Sequence, residues 1–408
     1  MSASEFRELI EELSSNSAVA GISLKGRYES LTGRTVTPPA GTIRQDGELV
    51  GIYTSADGEP AATLDPWGSV ASRCEALLAG AYGGRALADL LGFPLVTFVD
   101  GDGAVLTTSV ELSHRQADAT WRLCRDELRE AGVPFDDIQQ ATRSHPDALL
   151  AGFPTAIPFG WWHSHTKRSQ AAADEPQKGK RGAKAGPEVD LERSRNEYLG
   201  YYVMNPAESR SARLFTAEFT ALGVAERRRM AAKVDALFSA VRAEQTVAGQ
   251  KLSTLGLGSI PPTRISSQAD PKRSTPSDLT YRAIESRAFL SFTGLRGFGF
   301  SEPATARVLV TALTLLLYSL LHQNLDFRAG TELRLLEPGL EVTVERHGEA
   351  SQPLDLPSID ELIELVRELG VEAGWSGPRV VTVAADSPLG KVIGVIDGTA
   401  APEHEDGH

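Results

Sequence analysis

The stretch from Val308 to Leu321 runs 14 residues without a charge and is interrupted only by Thr311, Thr314 and Ser319. Ser301 and Pro303 supply the start signals of a helix over 303–322. A helix apolar all round has to be covered on every side, and this one falls short of the roughly 20 residues a bilayer span needs. It therefore reads as a buried core helix, and the rest of the chain has to wrap it. The chain has 408 residues, of which 41 % are hydrophobic and 23 % charged. That length allows about two domains, or one core with large insertions. The composition excludes a disordered or fibrous chain.

The elements around that helix mix irregularly. Ser2 and Glu5 form a capping-box pattern ahead of Phe6, Leu9, Ile10 and Leu13. A strand is expected over about Val19 to Leu31. Residues 32–48, rich in Thr, Pro and Gly, read as an excursion with a return strand at Glu48–Thr54, so that 32–60 is a possible projecting thumb hairpin. A loop running into a helix is expected at Pro66–Leu78, a strand at Phe93–Phe98, and a longer helix at His114–Ala131. Residues 166–190 are polar and basic and read as a flexible loop. Beyond it come a strand at Tyr198–Met204, a helix at Val224–Ala243, and a strand at Ala288–Phe300 leading into a glycine-rich turn. A hairpin turning at Pro338-Gly339 within Leu333–Arg346 is expected next. A capped helix from Ser358 and a last strand at Arg379–Ala385 follow. There is no fixed-period repeat, and this irregular mixture favours an α+β fold.

The net charge of −13 argues at first against a phosphate-rich partner. It is not spread evenly. Residues 1–12, 349–372 and 397–408 carry −3, −6 and −4, so the remaining body is neutral. Residues 163–184 and 249–308 each carry +4. The cations are 32 Arg and 9 Lys, and arginine suits phosphates and bases. The acidic helix from Ser358, both termini and the acidic tail 397–408, which reads as disordered, are expected to lie away from any nucleic-acid groove.

Cys74 and Cys124 stand alone, without metal or disulfide spacing, which fits a reducing, cytoplasmic setting. The first residues lack the basic patch and apolar run of a secretory signal. No GxSxG, Walker A or GxGxxG pattern occurs, so neither serine hydrolysis nor a nucleotide cofactor is expected. His163 and His165 alternate as on a strand end after Trp161-Trp162 and would point the same way, which suits a metal, an RNA contact or a plain structural pair. No third ligand stands at a diagnostic spacing.

Three basic groups remain. Ser69, Ser72 and Arg73 stand at a helix start, where an anion is favoured. Lys167, Arg168, Lys178, Lys180, Arg181 and Lys184 fill the polar loop beside Trp161 and Trp162. Arg264, Lys272 and Arg273 precede Arg296, which lies within the run Phe289–Phe300, where Gly294, Gly297 and Gly299 remove Cβ obstruction to a phosphate or base. Aromatics in that run could stack bases or fill a core. Each group is equally compatible with an ordinary solvated surface.

Several segments, in order, resemble one family. They are Leu64-Asp65-Pro-Trp-Gly-Ser69-Val-Ala-Ser72-Arg73-Cys-Glu75, Ser113-His114-Arg115-Gln-Ala-Asp118-Ala119, and Phe159-Gly160-Trp161-Trp162-His-Ser164-His165. In the second half Gly256-Leu-Gly258-Ser-Ile-Pro261-Pro262 and Ala288-Phe-Leu290-Ser291-Phe-Thr-Gly294-Leu295-Arg296 continue the match. The chain resembles the RAMP-superfamily backbone subunit of a CRISPR Cascade surveillance complex, in the type I-U (I-G) lineage. The helix start reads Ser69-Val-Ala-Ser72-Arg73 where that family usually has Ser-x-x-Asn-Arg.

The resemblance implies a single modified RNA-recognition-motif (ferredoxin-like) core spanning 1–408, with an antiparallel sheet and insertions that include a thumb. It implies a non-catalytic subunit that oligomerises along the CRISPR RNA and leaves bases free to pair with a target DNA strand. Its partners would be that RNA, the paired DNA strand, further copies of itself, other Cascade subunits and the helicase-nuclease effector, with no membrane and no cofactor. The RNA contacts expected are Lys25, Arg27, Ser69, Ser72, Arg73, Arg115, His165, Lys167, Arg168, Arg264 and Arg296. The alternative is a metal-dependent or His-dependent CRISPR RNA-processing endoribonuclease of the same superfamily, using His163 or His165.

Overall fold

The structure, a computed structural model, describes residues 1–39, 42, 44–45, 48–162, 210–227, 230–247, 249–264 and 278–396. The expected strand at 198–204, the basic loop 166–190, the acidic tail 397–408 and the residues His163, His165, Lys167 and Arg168 lie outside the described residues. So does most of the segment carrying Lys272 and Arg273.

Helix α1 (Ala3–Ser15) starts on the capping box read from the sequence: the Glu5 carboxylate accepts from the Ser2 amide at 2.8 Å. Strand β1 (Val19–Ser30) follows. Next come β2 (Ile52–Thr54), β3 (Pro60–Asp65), α2 (Trp67–Ala76), β4 (Val96–Val99) and β5 (Val105–Thr108). The second half brings β6 (Phe215–Leu222), β7 (Met230–Lys233), β8 (Ile260–Arg264), β9 (Ala283–Ser291) and the long α3 (Pro303–Leu321). The chain closes with β10 (Asp326–Arg328), β11 (Thr331–Leu335), β12 (Glu341–Arg346), α4 (Ile359–Glu372), β13 (Arg379–Thr382) and α5 (Pro388–Ile396).

The central sheet runs β10–β11–β1–β9–β6–β3–β2 with every neighbour antiparallel, and β12 shares with β11 the same edge of β1. Strands β6 and β9 alternate throughout, and β1 does so after an irregularity at Gly21. Ile22, Leu24, Tyr28, Ala217, Phe219, Ile284 and Leu290 point into the core. Against that face lie α1, α2 and α3, with α4 packed across α3. As expected for a helix apolar all round, α3 is buried over most of its circumference. A second, three-stranded sheet joins β5, β4 and β13, the last pairing parallel to β4. The result is a mixed α+β fold with a curled antiparallel sheet, whose described helical layer packs on one side.

Four expectations are corrected. Residues 224–243 do not form a helix. They give strands 225–227 and β7 and then a turn in which Asp235 accepts from the amides of Leu237 and Phe238. The helical spacing of Val234 and Leu237 is incidental, because both are about four-fifths exposed (80 % and 81 %) and no core lies there to bury them. Residues 114–131 break into a 3-10 turn and two short helices, although Ala117, Trp121, Cys124 and Leu128 are buried as the spacing implies. Strand β9 stops at Ser291, whose side chain caps a short helix, Phe292–Arg296, instead of running on. Finally, 333–346 is not a hairpin. The chain turns at Pro338-Gly339, yet β11 and β12 pair successively with the same edge of β1, because a 12-residue strand offers edge for both.

Between β6 and β9 the chain leaves the sheet. Residues 225–227 pair with 278–280, which pair with 35–36, and β7 pairs with β8 beyond them. This ribbon buries Ala243 and Leu252 in its own interior, apart from the main core, and exposes Val234, Leu237 and Leu255.

Beneath the centre of the sheet lies a buried polar network. The Tyr28 hydroxyl bonds Ser286 Oγ at 2.7 Å and His322 Nε2 at 2.8 Å, and Tyr318 donates to Ser286. Burial lowers the His322 pKa from 6.5 to about 4. The unfolded chain then binds more protons than the folded one between those values. His322 therefore stabilises fully above about pH 6.5, and that contribution is lost as pH falls toward 4. A shift of this size corresponds to roughly 3 kcal/mol. Urea unfolding at pH 7 and pH 4.5 checks this: the loss of stability is expected to be larger in the native chain than in His322→Gln.

Candidate nucleic-acid interface

Among the described residues, no helical layer lies above the side chains on the other face of the central sheet. On β1 these are Ser23, Lys25, Arg27 and Glu29, with Lys25 and Arg27 exposed. On β9 they are Glu285, Arg287 and Phe289, and on β6 Thr216, Glu218, Thr220 and Leu222. Register sets them in rows. Lys25 stands opposite Arg287, and Arg287 opposite Glu218; the next rows are Arg27–Glu285–Thr220 and Ser23–Phe289–Thr216. Facing pairs on one side of a sheet have Cβ atoms about 5 Å apart, so three cations, Lys25, Arg27 and Arg287, occupy one small area. Carboxylates are interleaved with them. Arg287 lies 3.7 Å from Glu285, and Glu341 is the register partner of Lys25 on β12. The exposed cations are screened ion partners at most, free to exchange a surface carboxylate for a phosphate.

Two concavities open here. One, of about 290 Å³, is walled by Lys25, Arg27, Arg287 and the Pro338-Gly339 excursion. The other, of about 750 Å³, runs over β9 and β6 to the turn after β2 and the start of α2. Tyr53 and Trp67, 46 % and 51 % exposed, stand at its side, and Phe289 lies on its floor. Large aromatics standing in solvent beside cations are the chemistry on which single-stranded bases stack.

The other expected contacts are placed differently. Ser69 donates to Asp65 at 2.6 Å, and Arg73 donates to Asp65 at 3.0 Å and to the Phe327 carbonyl at 2.8 Å. Burial pushes the Asp65 carboxyl up, while Ser69, Arg73 and Arg328 pull it down. These groups fasten α2 to β3 and to the strand after α3. Ser72 is exposed and donates to the Gly68 carbonyl one turn earlier. Arg115 is 7 % exposed; it makes a bidentate pair with Glu75 at 2.7 and 2.8 Å and donates to the Gly160 carbonyl. This pairing holds it at a left-handed φ of 53° and leaves its guanidinium inside the protein. Arg296 donates to the carbonyls of Asn16 and Val19, where α1 ends and β1 begins, and burial lowers its pKa. Arg264 ends β8, on the ribbon and not on the sheet.

The glycines after β9 serve the chain itself. A Cβ on Gly297 would meet Arg143 Nη2 at 2.2 Å, and one on Gly299 the Ser144 carbonyl at 2.3 Å, so internal side chain and backbone take the room expected for a phosphate. Phe292, Phe298 and Phe300 are buried, and so is Trp161, against Phe298.

Of the expected residues whose side chains are described, Lys25 and Arg27 alone reach the open face; the sequence reading missed Arg287, Glu218, Tyr53 and Trp67, and had Phe289 only as part of an aromatic run. The signal for β9 was present: Glu285, Arg287 and Phe289 alternate at i, i+2 and i+4 as Lys25 and Arg27 do. The acidic α1 and α4 lie on the helical side and are tied together by Arg7 and Glu372 at 2.9 Å. Among the described residues no group of three or more metal-binding side chains occurs.

Residues 22–174 match the sequence model of a family described as CRISPR-associated protein GSU0053. The match supports a CRISPR-associated protein and includes most of β1 with Lys25 and Arg27, Trp67, and the Glu75–Arg115 pair. No curated protein matches the chain.

The two classes of cation separate by experiment. Glu75→Ala leaves Arg115 buried without its partner, which is expected to cost about 3–5 kcal/mol. Arg27→Ala on the open face is expected to stay within about 0.5 kcal/mol. Urea unfolding of both variants checks this, and equal losses would contradict the assignment.

Proposed function

We propose that this chain is a non-catalytic RNA-binding backbone subunit of a CRISPR Cascade complex, of the RAMP superfamily and the type I-U (I-G) lineage. The observation that carries it is the uncovered sheet face, where Lys25, Arg27 and Arg287 stand together beside Tyr53, Trp67 and Phe289. Two further features support it. Strands β12, β1, β9 and β6 lie side by side in that order, with α2 between β1 and β6 in the chain and α3 between β9 and β12. An RNA-recognition-motif core, which this reading implies, would have the same order. The family match independently supports a CRISPR system.

In this reading the cations hold the guide RNA by its phosphates, the aromatics take exposed bases, and Watson–Crick pairing with the target DNA carries the sequence information. Copies of the chain stand side by side along the RNA, with the remaining Cascade subunits and the helicase-nuclease effector as partners. The ribbon carrying β7 and β8, with its exposed Val234, Leu237 and Leu255, is the described segment best built to act as the thumb that interrupts the duplex. Its base is tied to residues 35–36 of the 32–60 excursion, so both segments contribute. The basic loop with Lys167 and Arg168, beside His165, adds contacts to the same strand of RNA.

Salt titration tests the reading. Binding of repeat-derived RNA is expected to weaken linearly with log salt concentration. Each phosphate contact removed lowers that slope by about 0.7 on a single strand, so the triple variant Lys25→Ala, Arg27→Ala, Arg287→Ala should lose about 2 from it. A chain that stays monomeric and free of nucleic acid when co-expressed with a CRISPR array, and shows no salt-dependent RNA binding, would refute it.

A further inference from the structure

A carboxylate interrupts the cationic face at a place that phosphate binding does not explain. Glu285 on β9 stands opposite Arg27 on β1, and it lines both grooves. The smaller groove is walled by Lys25, Arg27 and Arg287, the chemistry that holds a phosphate. The larger carries Tyr53, Trp67 and Phe289, the chemistry that stacks a base. Glu285 sits where the two grooves meet, and what joins a phosphate to a base is the sugar. Lys25 and Arg27 are two residues apart on one face of β1, about 6.7 Å along the strand, close to the repeat of an extended nucleotide backbone. Successive phosphates on these two cations bring the intervening sugar within reach of Glu285. The Glu285 side chain is 33 % exposed, sunk between the more exposed Lys25, Arg27 and Arg287. Arg287 lies 3.7 Å away, near enough to offset the carboxylate's charge and too far to hydrogen-bond it. Among the described residues no other donor takes its oxygens.

We propose that Glu285 accepts a hydrogen bond from a ribose 2′-hydroxyl of the bound strand, and that this contact makes the face select RNA over DNA. An ionised carboxylate only accepts, so the group that settles on it has to donate. Along a nucleic-acid backbone, phosphate and deoxyribose within a strand offer no donor, and ribose offers the 2′-hydroxyl. A phosphate over Glu285 is repelled, which leaves Lys25 and Arg27 to take the phosphates and Glu285 to take the sugar between them. Every nucleotide of an RNA carries this hydroxyl, so the contact is blind to base sequence. The inference rests on the RNA-binding reading above and deepens it, since cations alone hold the phosphates of RNA and DNA alike.

Fluorescence anisotropy with the full chain tests it, using an oligouridine RNA probe and the same sequence with 2′-deoxy or 2′-fluoro sugars. The 2′-fluoro sugar keeps the ribose pucker but has no donor. The RNA probe is expected to bind roughly tenfold more tightly than either, the scale of one hydrogen bond to a charged acceptor. In Glu285→Ala the ratio of RNA to 2′-fluoro binding is expected to fall toward one, with the folded state verified by thermal melting. Glu285→Gln keeps an acceptor oxygen and is expected to retain part of the ratio. A carboxylate that served only to balance charge would behave differently: Glu285→Ala would then strengthen all three probes alike and leave the ratio unchanged, which would overturn the proposal. A 2′-fluoro probe that binds as tightly as RNA would also overturn it, because sugar pucker and not the donor would then be read. Equal binding of all three probes would overturn the ribose contact and leave the RNA-binding reading standing. Binding of none would overturn both.

Discussion

Helix α3 is apolar around its whole circumference, so it needs cover on every side, and the fold is arranged around that need. One face of the central sheet supplies part of the cover; α1, α2 and α4 supply the rest. The chain's principal helices are thereby committed to one side. No described helix covers the opposite face of β1, β9 and β6, and strand alternation fills it with residues that tolerate water. The candidate interface is the consequence of where the apolar helix went.

The same division explains the charge. The acidic α1 and α4 form part of the helical layer, where Arg7 and Glu372 join them, while the arginines that matter for an anionic partner sit on the far side of the sheet. Many of the other arginines are internal fasteners. Arg115 closes on Glu75, Arg73 and Arg328 surround Asp65, and Arg296 gathers the carbonyls where α1 passes into β1. These groups fix the strands that carry Lys25 and Arg287 without offering a free cation themselves. Below the open face, the Tyr28–Ser286–His322 network locks β1 to β9 at the rows where the exposed cations stand.

Much of the frame was legible in the residues. The capping boxes at Ser2 and Ser358, the apolar α3 and the alternating β1 are local patterns that tertiary contacts did not override. The misreadings came where local pattern and tertiary context diverge. Val234 and Leu237 have helical spacing but no core to bury them, and Pro338-Gly339 turns the chain without reversing its pairing. The site was less legible because its members come from distant parts of the chain. Lys25 and Arg287 become neighbours only through antiparallel register, and an arginine bound to a buried glutamate looks in sequence like an arginine free for phosphate. Arg115 and Arg27 differ in their surroundings and not in their residue type.

The central claim is that the uncovered face of the sheet carries the RNA. Photo-cross-linking of 4-thiouridine-labelled RNA to the full chain, with the attachment points mapped by mass spectrometry, tests it most directly. The account predicts cross-links within 19–30 and 283–291 and at Tyr53 or Trp67. Cross-links confined to α1, α3 and α4, with none on those strands, would contradict it.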